Sequence, residues 1–317
     1  MPNALKADLW LVLVTILAAV SWIFSKEAIM LMPPLIFISL RFFLAGLFLT
    51  IIGFHQIKLL NWAQYKQAIL VGCVFTVGMC FWIMGLYSGV SLTIGGFLTS
   101  LAVLFSPILA RVFFKEYVPS RTWYAIPVAV IGVGFLSLGS GFNIESGQLL
   151  FMVASLFFAL FFILNTRAAN HREVGGIDEV LEISEKVPSL PLTAITLLVV
   201  GVIAGCLSLL MESPSIVIEE FSMAMLGWVL ASAFIGTAIR FFIQTHAQSL
   251  SENSHGVVIM VVEPVWIALL TAAWFSEQLS VNDFVGCLLI FISIIIIRWT
   301  SIYQLVNPKN KTLRGTT

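Results

Sequence analysis

From residue 9 to residue 301 the chain is a near-unbroken succession of apolar runs, each about as long as a bilayer is thick. A helix needs about 20 apolar residues to cross a hydrocarbon core of roughly 30 Å. Ten such runs are expected, over 9–31, 34–53, 67–87, 93–114, 123–139, 147–166, 190–211, 223–244, 254–275 and 284–301. The backbone in lipid must satisfy its own hydrogen bonds, so each run folds as a helix or as part of a closed barrel. A barrel would show short alternating segments, and these runs are continuously apolar. Charged residues make up only 10% of the chain, against about 25% in soluble domains. The sequence therefore describes an all-α polytopic membrane protein with ten transmembrane helices and no sizeable soluble domain.

Lys and Arg orient it. With the N-terminus in the cytosol, thirteen of the sixteen basic residues fall on the cytosolic side, from Lys6 to Arg314, and the outer loops hold none. That bias is the positive-inside pattern, and it fails if one helix is removed. Lys26, Arg41 and Arg240 are left inside spans. The longest hydrophilic connection is 167–189, with five acids, on the cytosolic side. The four cysteines lie in apolar runs with no metal-binding spacing, and read as packing residues.

The two halves match. In 97–139 a span carrying Ser106-Pro107 is followed by a turn at Glu116 and a glycine-containing span. In 257–297 a span carrying Glu263-Pro264 is followed by a turn at Glu277 and another glycine-containing span. Residues 1–145 and 146–317 are read as two five-helix repeats, the second including the charged loop and a cytosolic tail. An odd number of spans per repeat requires the second to be inserted upside down, a recurring plan of secondary transporters.

The patterns SWIFSKEAI, GGFLTSLAVLFSPILARVFFKE, IGTAIRFFIQTHAQS and VEPVWIALLTAAWFSEQLSVNDFVGCLLIF, in that order, resemble the EamA-type transporters of the drug/metabolite transporter superfamily. The resemblance runs from about Leu9 to Ile297. It implies the ten-helix inverted-repeat fold, a place in the bacterial inner membrane, and outward movement of small metabolites, commonly amino acids or related compounds. The chain departs from the family pattern at Ser21-Trp22, where many members read Trp-Gly. Its two proline–glutamate spacings also differ: Pro107 lies nine residues before Glu116, Pro264 thirteen before Glu277.

The residues that could carry chemistry are the polar ones at membrane depth. A carboxylate there costs roughly 2.5–3.5 kcal/mol on insertion scales, so Glu263 should face protein or a wet cavity. It is either half of a buried pair with Arg240 or Lys26, or a group for substrate binding or coupling. Pro264 frees the carbonyl of Met260 and marks an interrupted helix. Lys26 either snorkels to the interface or faces the cavity, as the resemblance favours. Arg41, always charged, either pairs with Glu27 or meets another anion or water. Arg240 snorkels inward or serves as counter-ion to Glu263 or to a substrate carboxylate. Gln244 joins this set. Trp22 and Trp82 are the aromatic candidates for a cavity wall. Gly95 and Gly96 are expected to loosen the entry to the fourth span, and Pro107 to break it.

These features favour a secondary transporter with a small-molecule substrate; both signs of charge inside spans suit a zwitterion such as an amino acid, and equally suit internal salt bridges. No Walker loop is present to couple ATP. A membrane-embedded enzyme would need converging acids, bases or metal ligands, whereas the four histidines lie at span ends or in loops. No catalytic residue, metal, cofactor or nucleic-acid partner is expected. No repeated charge stripe suggests a channel or a structural assembly protein. The functional unit is expected to be a monomer in the bilayer, with a homodimer left open.

Overall fold

A computed structural model describes residues 3–115, 118, 120–136, 145–170, 186–213, 221–250 and 262–306; within its helices, the side chains of 3–9, 248–250, 298 and 300–306 are not described. The Glu116 turn, most of the charged loop, the start of the ninth span and the C-terminal tail lie outside these residues.

Every described element is helical. The helices are α1 (Asn3–Ile29), α2 (Pro34–Ile57), α3 (Trp62–Tyr87), α4 (Leu92–Ser100), α5 (Ala102–Phe114), α6 (Ser120–Leu136), α7 (Ser146–Ala169), α8 (Ser189–Met211), α9 (Met223–Ala233), α10 (Arg240–Leu250), α11 (Glu263–Phe275) and α12 (Val281–Val306), with a π-helical turn, Phe234–Ile239, between α9 and α10. Among the described residues seven spans are long and apolar enough to cross a membrane, α4–α5 and α9–α10 counting as one each. Three shorter apolar helices, Ser120–Leu136, Glu263–Phe275 and Val281–Ile297, complete the ten.

Local chemistry sets the helix ends. Asn61 and Gln64 form a reciprocal capping box at the start of α3, which begins five residues before the expected position. The Ser91 and Ser222 side chains accept from Ile94 N and Met225 N, opening α4 and α9. The start of α2 is capped from a distance. The Glu212 carboxylate, just past α8, accepts from Leu35 N at 2.8 Å and Ile36 N at 2.9 Å. Two orphan donors and the positive end of the helix dipole are met by one acid.

Small residues set how closely the helices pack. α2 lies along α8, α3 along α7 and α6 along α12. A Cβ at Gly201 would stand 2.5 Å from Phe43 N. One at Gly132 would stand 2.9 Å from Gly286 O, and one at Gly286 2.8 Å from Gly132 O. Gly85 packs on Phe151, whereas Gly89 has nothing within 4 Å and supplies φ +90° in a turn.

The fourth span is broken, six residues earlier than Pro107. The break is at Leu101, between α4 and α5; Pro107 sits inside α5 without ending it. Ser106 Oγ donates to Ala102 O at 2.7 Å there. In the second half Val262 is the N-cap of α11, with Pro264 in its first turn. α5 and α11 are both 13 residues long, and each ends on a left-handed non-glycine residue, Lys115 (φ 55°) and Ser276 (φ 52°). Aligned on those caps, Leu101 matches Val262 and Ala102 matches Glu263. Ser106-Pro107 is therefore not the counterpart of Glu263-Pro264; it lies one helical turn further along.

Candidate functional site

The two half-helices begin at a common cavity of about 90 Å³. At on the order of 10–15 Å³ per water, it has room for several. Its walls include the first residues of both half-helices, Ala102 and Val103 on α5, Glu263 and Pro264 on α11. Much of the lining is aromatic. Trp22 meets Trp82 edge-on at 4.9 Å and stacks on Phe151 at 5.7 Å. Phe75 stacks on Phe161 at 4.1 Å and meets Phe241 at 5.1 Å; all three line the space, with Phe158, Phe162 and Met79.

The polar part of the lining holds Arg41, Arg240, Gln244, Glu263 and Ser21. Arg41 is 1% exposed, yet its partners are neutral. It donates from Nε to Thr237 Oγ1 (2.6 Å), from Nη1 to Ser25 Oγ (2.7 Å), and from Nη2 to Ser21 Oγ (2.6 Å) and Gly236 O (3.3 Å). The Phe37 and Phe42 rings flank its guanidinium at 5.8 and 5.3 Å, a cation–π arrangement. Of the alternatives for Arg41, the pair with Glu27 does not form. Glu27 accepts from Trp274 Nε1 at 2.9 Å instead.

The π-turn explains what Arg41 holds. Thr237 Oγ1 donates to Ser232 O, five residues back, at 2.8 Å, while Arg41 grips both Thr237 Oγ1 and Gly236 O. Gly236 lets α1 close on the turn, since a Cβ there would stand 2.8 Å from Ser21 Oγ. A π-turn carries one extra residue, about 100° of helix rotation. It thereby sets which later residues face inward: Arg240, Phe241 and Gln244 line the cavity, while Ile235 and Ile239 are exposed.

Arg240 reaches Glu263 at 3.6 Å, their side chains 13% and 18% exposed, and also lies over the Phe241 ring at 4.7 Å. That separation is longer than the 2.7–2.9 Å typical of a charge-assisted hydrogen bond. Arg240 Nε and Gln244 Oε1 are buried without a hydrogen-bond partner among the described residues.

Of the candidates read from sequence, Trp22, Arg41, Trp82, Gly96, Arg240, Gln244, Glu263 and Pro264 come together around the cavity. Lys26 does not. Its Nζ donates to Leu86 O at 3.4 Å, with Glu277 as its charged neighbour. Gly95 and Gly96 do not loosen a helix entry. They lie within α4 as close-approach positions, Gly95 against Phe151 (2.7 Å from a built Cβ) and Gly96 against Ile267 (2.9 Å). Sequence reasoning missed Ser21, Ser25 and Thr237 as partners of Arg41. Their signal was small hydroxyl residues in apolar runs, too common to single out.

A polytopic helical bundle with a charged cavity beside an interrupted helix is an arrangement that recurs in secondary transporters. The EamA-like transporter family model matches residues 5–138 and again 145–299, so the chain belongs to the EamA-like transporter family, its two halves each matching the same domain. It is 27% identical over 297 residues to an uncharacterized transporter of Archaeoglobus fulgidus, covering 92% of this chain and 86% of that one. A solved crystal structure with 16% identity superposes with a TM-score of 0.64 over 94% of this chain and 98% of that chain; at that identity the likeness is one of fold.

Proposed function

We propose that the protein is a secondary transporter that exports a small amphipathic metabolite, an amino acid or a related compound with an ionised head group, by alternating access. The observation that supports this best is the cavity itself. It is lined by the opening turns of α5 and α11 and by both charged side chains and aromatic rings. Substrate sites in inverted-repeat transporters sit beside interrupted helices near the midplane. The charges inside are costly in a bilayer and pair there with protein groups around a space that water or a solute can enter. The two five-helix repeats, oppositely inserted with both termini in the bacterial cytosol, would rock about this site.

The test is counterflow in proteoliposomes with a metabolite panel, alongside thermal stabilisation of the purified protein and its Glu263→Gln variant. A transported compound should stabilise the wild type, and its effect on the variant should differ in size. Equal stabilisation would make Glu263 structural. Absence of counterflow for every stabilising compound would remove the transport reading.

A further inference from the structure

We infer that the substrate binds in this cavity as a monoanion: a carboxylate on an apolar or aromatic body, with a neutral N–H or O–H donor beside the acid. The inference rests on the transporter reading and goes beyond it in the charge of the bound species, selecting monoanions over free zwitterionic amino acids.

The charge inventory is short. Among the described lining residues the ionisable ones are Arg41, Arg240 and Glu263, two cations and one anion. Arg41 spends its hydrogen bonds on neutral oxygens, and the charged group that acts on it is Arg240, of like sign. Glu263 answers Arg240. One positive charge is left over inside the protein, where Coulomb forces are several-fold stronger than in bulk water. The neighbouring charged groups Lys26, Glu27 and Glu277 do not line the space. Glu27 accepts from Trp274 and Glu277 from Thr93 Oγ1 at 2.9 Å.

The repeat shows where an anion is missing. The first turns of α5 and α11 both line the cavity. The first residue of α11 is Glu263; the matching first residue of α5 is Ala102. The acid that one repeat supplies, the other leaves to a ligand. Two lining residues carry a buried atom without a hydrogen-bond partner among the described residues. Arg240 Nε needs an acceptor and Gln244 Oε1, on a residue 1% exposed, needs a donor. A hydroxy acid or an N-acylated amino acid offers both. The Trp22, Trp82, Phe158 and Phe162 wall takes the body.

The probes are charge series on two bodies: phenylalanine, 3-phenyllactate and phenylalaninamide; leucine, 2-hydroxyisocaproate and leucinamide. Each set gives a zwitterion, a monoanion and a cation. Binding to the purified full chain is followed by calorimetry and thermal stabilisation. The monoanion should bind tightest on at least one body, by roughly tenfold over the zwitterion. Arg240→Gln, which neutralises the cavity, should erase that preference, and Glu263→Gln, which adds a net positive charge, should enlarge it. A groove that merely tolerates substitution would lose affinity for all three probes alike. Tighter binding of zwitterion or cation on both bodies, no binding of either monoanion, or an unmoved preference in both variants would overturn the inference. If a variant fails to fold, the ranking on the wild type decides. Counterflow of the zwitterion without a monoanion preference would leave transport standing and remove the charge assignment. Monoanion binding without counterflow would do the reverse.

Discussion

At the scale of single residues, a buried charge here is held mostly by neutral oxygen. Arg41 is fixed by hydroxyls and a carbonyl from α1 and the π-turn, and a planar fork is what that arrangement requires. Lysine has three donors on a point charge and cannot reproduce it. Arg41→Lys should cost about 1–3 kcal/mol, read as earlier thermal unfolding in detergent, and should weaken substrate binding along with stability. Glu212 makes the complementary case at a helix start. Glu212→Ala removes the acceptor for Leu35 N and Ile36 N and should lower stability by about 1–2 kcal/mol, while leaving substrate affinity in the folded fraction unchanged. Both residues could be noticed in the sequence. Their partners could not, because Thr237 lies 196 positions from Arg41 and Glu212 177 from Leu35.

At the scale of elements, two departures from regular helix do the positioning. The π-turn depends on Thr237 both donating to Ser232 O and accepting from Arg41. Thr237→Val keeps the volume and removes both bonds. It should cost about 1–3 kcal/mol and reduce affinity for any ligand that needs Arg240 and Gln244 in place. Titration calorimetry separates the two effects. Glycine supplies the contrast. Gly201→Ala drives a methyl onto the backbone of α2, 2.5 Å from Phe43 N, whereas Gly227 has nothing within 4 Å. The first change should destabilise by about 1–3 kcal/mol. Gly227→Ala, in an open helical position, should be neutral or stabilise by up to about 1 kcal/mol. Comparable losses in both would mean that the close helix approach is not what Gly201 provides. Sequence places these glycines on helices but does not say which of them meets a neighbour.

At the scale of the whole molecule, the arrangement predicts opposite accessibility for two loops. In a cysteine-free background, a cysteine at Ser140 should label from outside the cell and one at Ser184 only after permeabilisation. Labelling of both from outside would contradict the inverted five-plus-five insertion. Much of this scale is legible without coordinates. The hydrocarbon core demands apolar runs of a set length and a self-satisfied backbone, so ten runs mean ten helices, and the recurrence of one pattern means a repeat. The same rule that charges are costly in lipid singles out Arg41, Arg240 and Glu263 on a first reading. What the sequence could not decide is register. Pro107 and Pro264 look like partners because proline is the visible breaker, but a helix breaks where packing and caps allow it. Only the shared left-handed ends at Lys115 and Ser276 show that Glu263 answers to Ala102. Nor could the sequence choose counter-ions, since several cations lay within plausible reach of Glu263. The three-dimensional packing chose them, sending Lys26 to Leu86 and Glu277, Glu27 to Trp274, and Arg240 to Glu263. Solvent dictates which segments are buried in the membrane, and it acts on each residue independently. Which buried group meets which depends on side-chain directions across helices far apart in the chain.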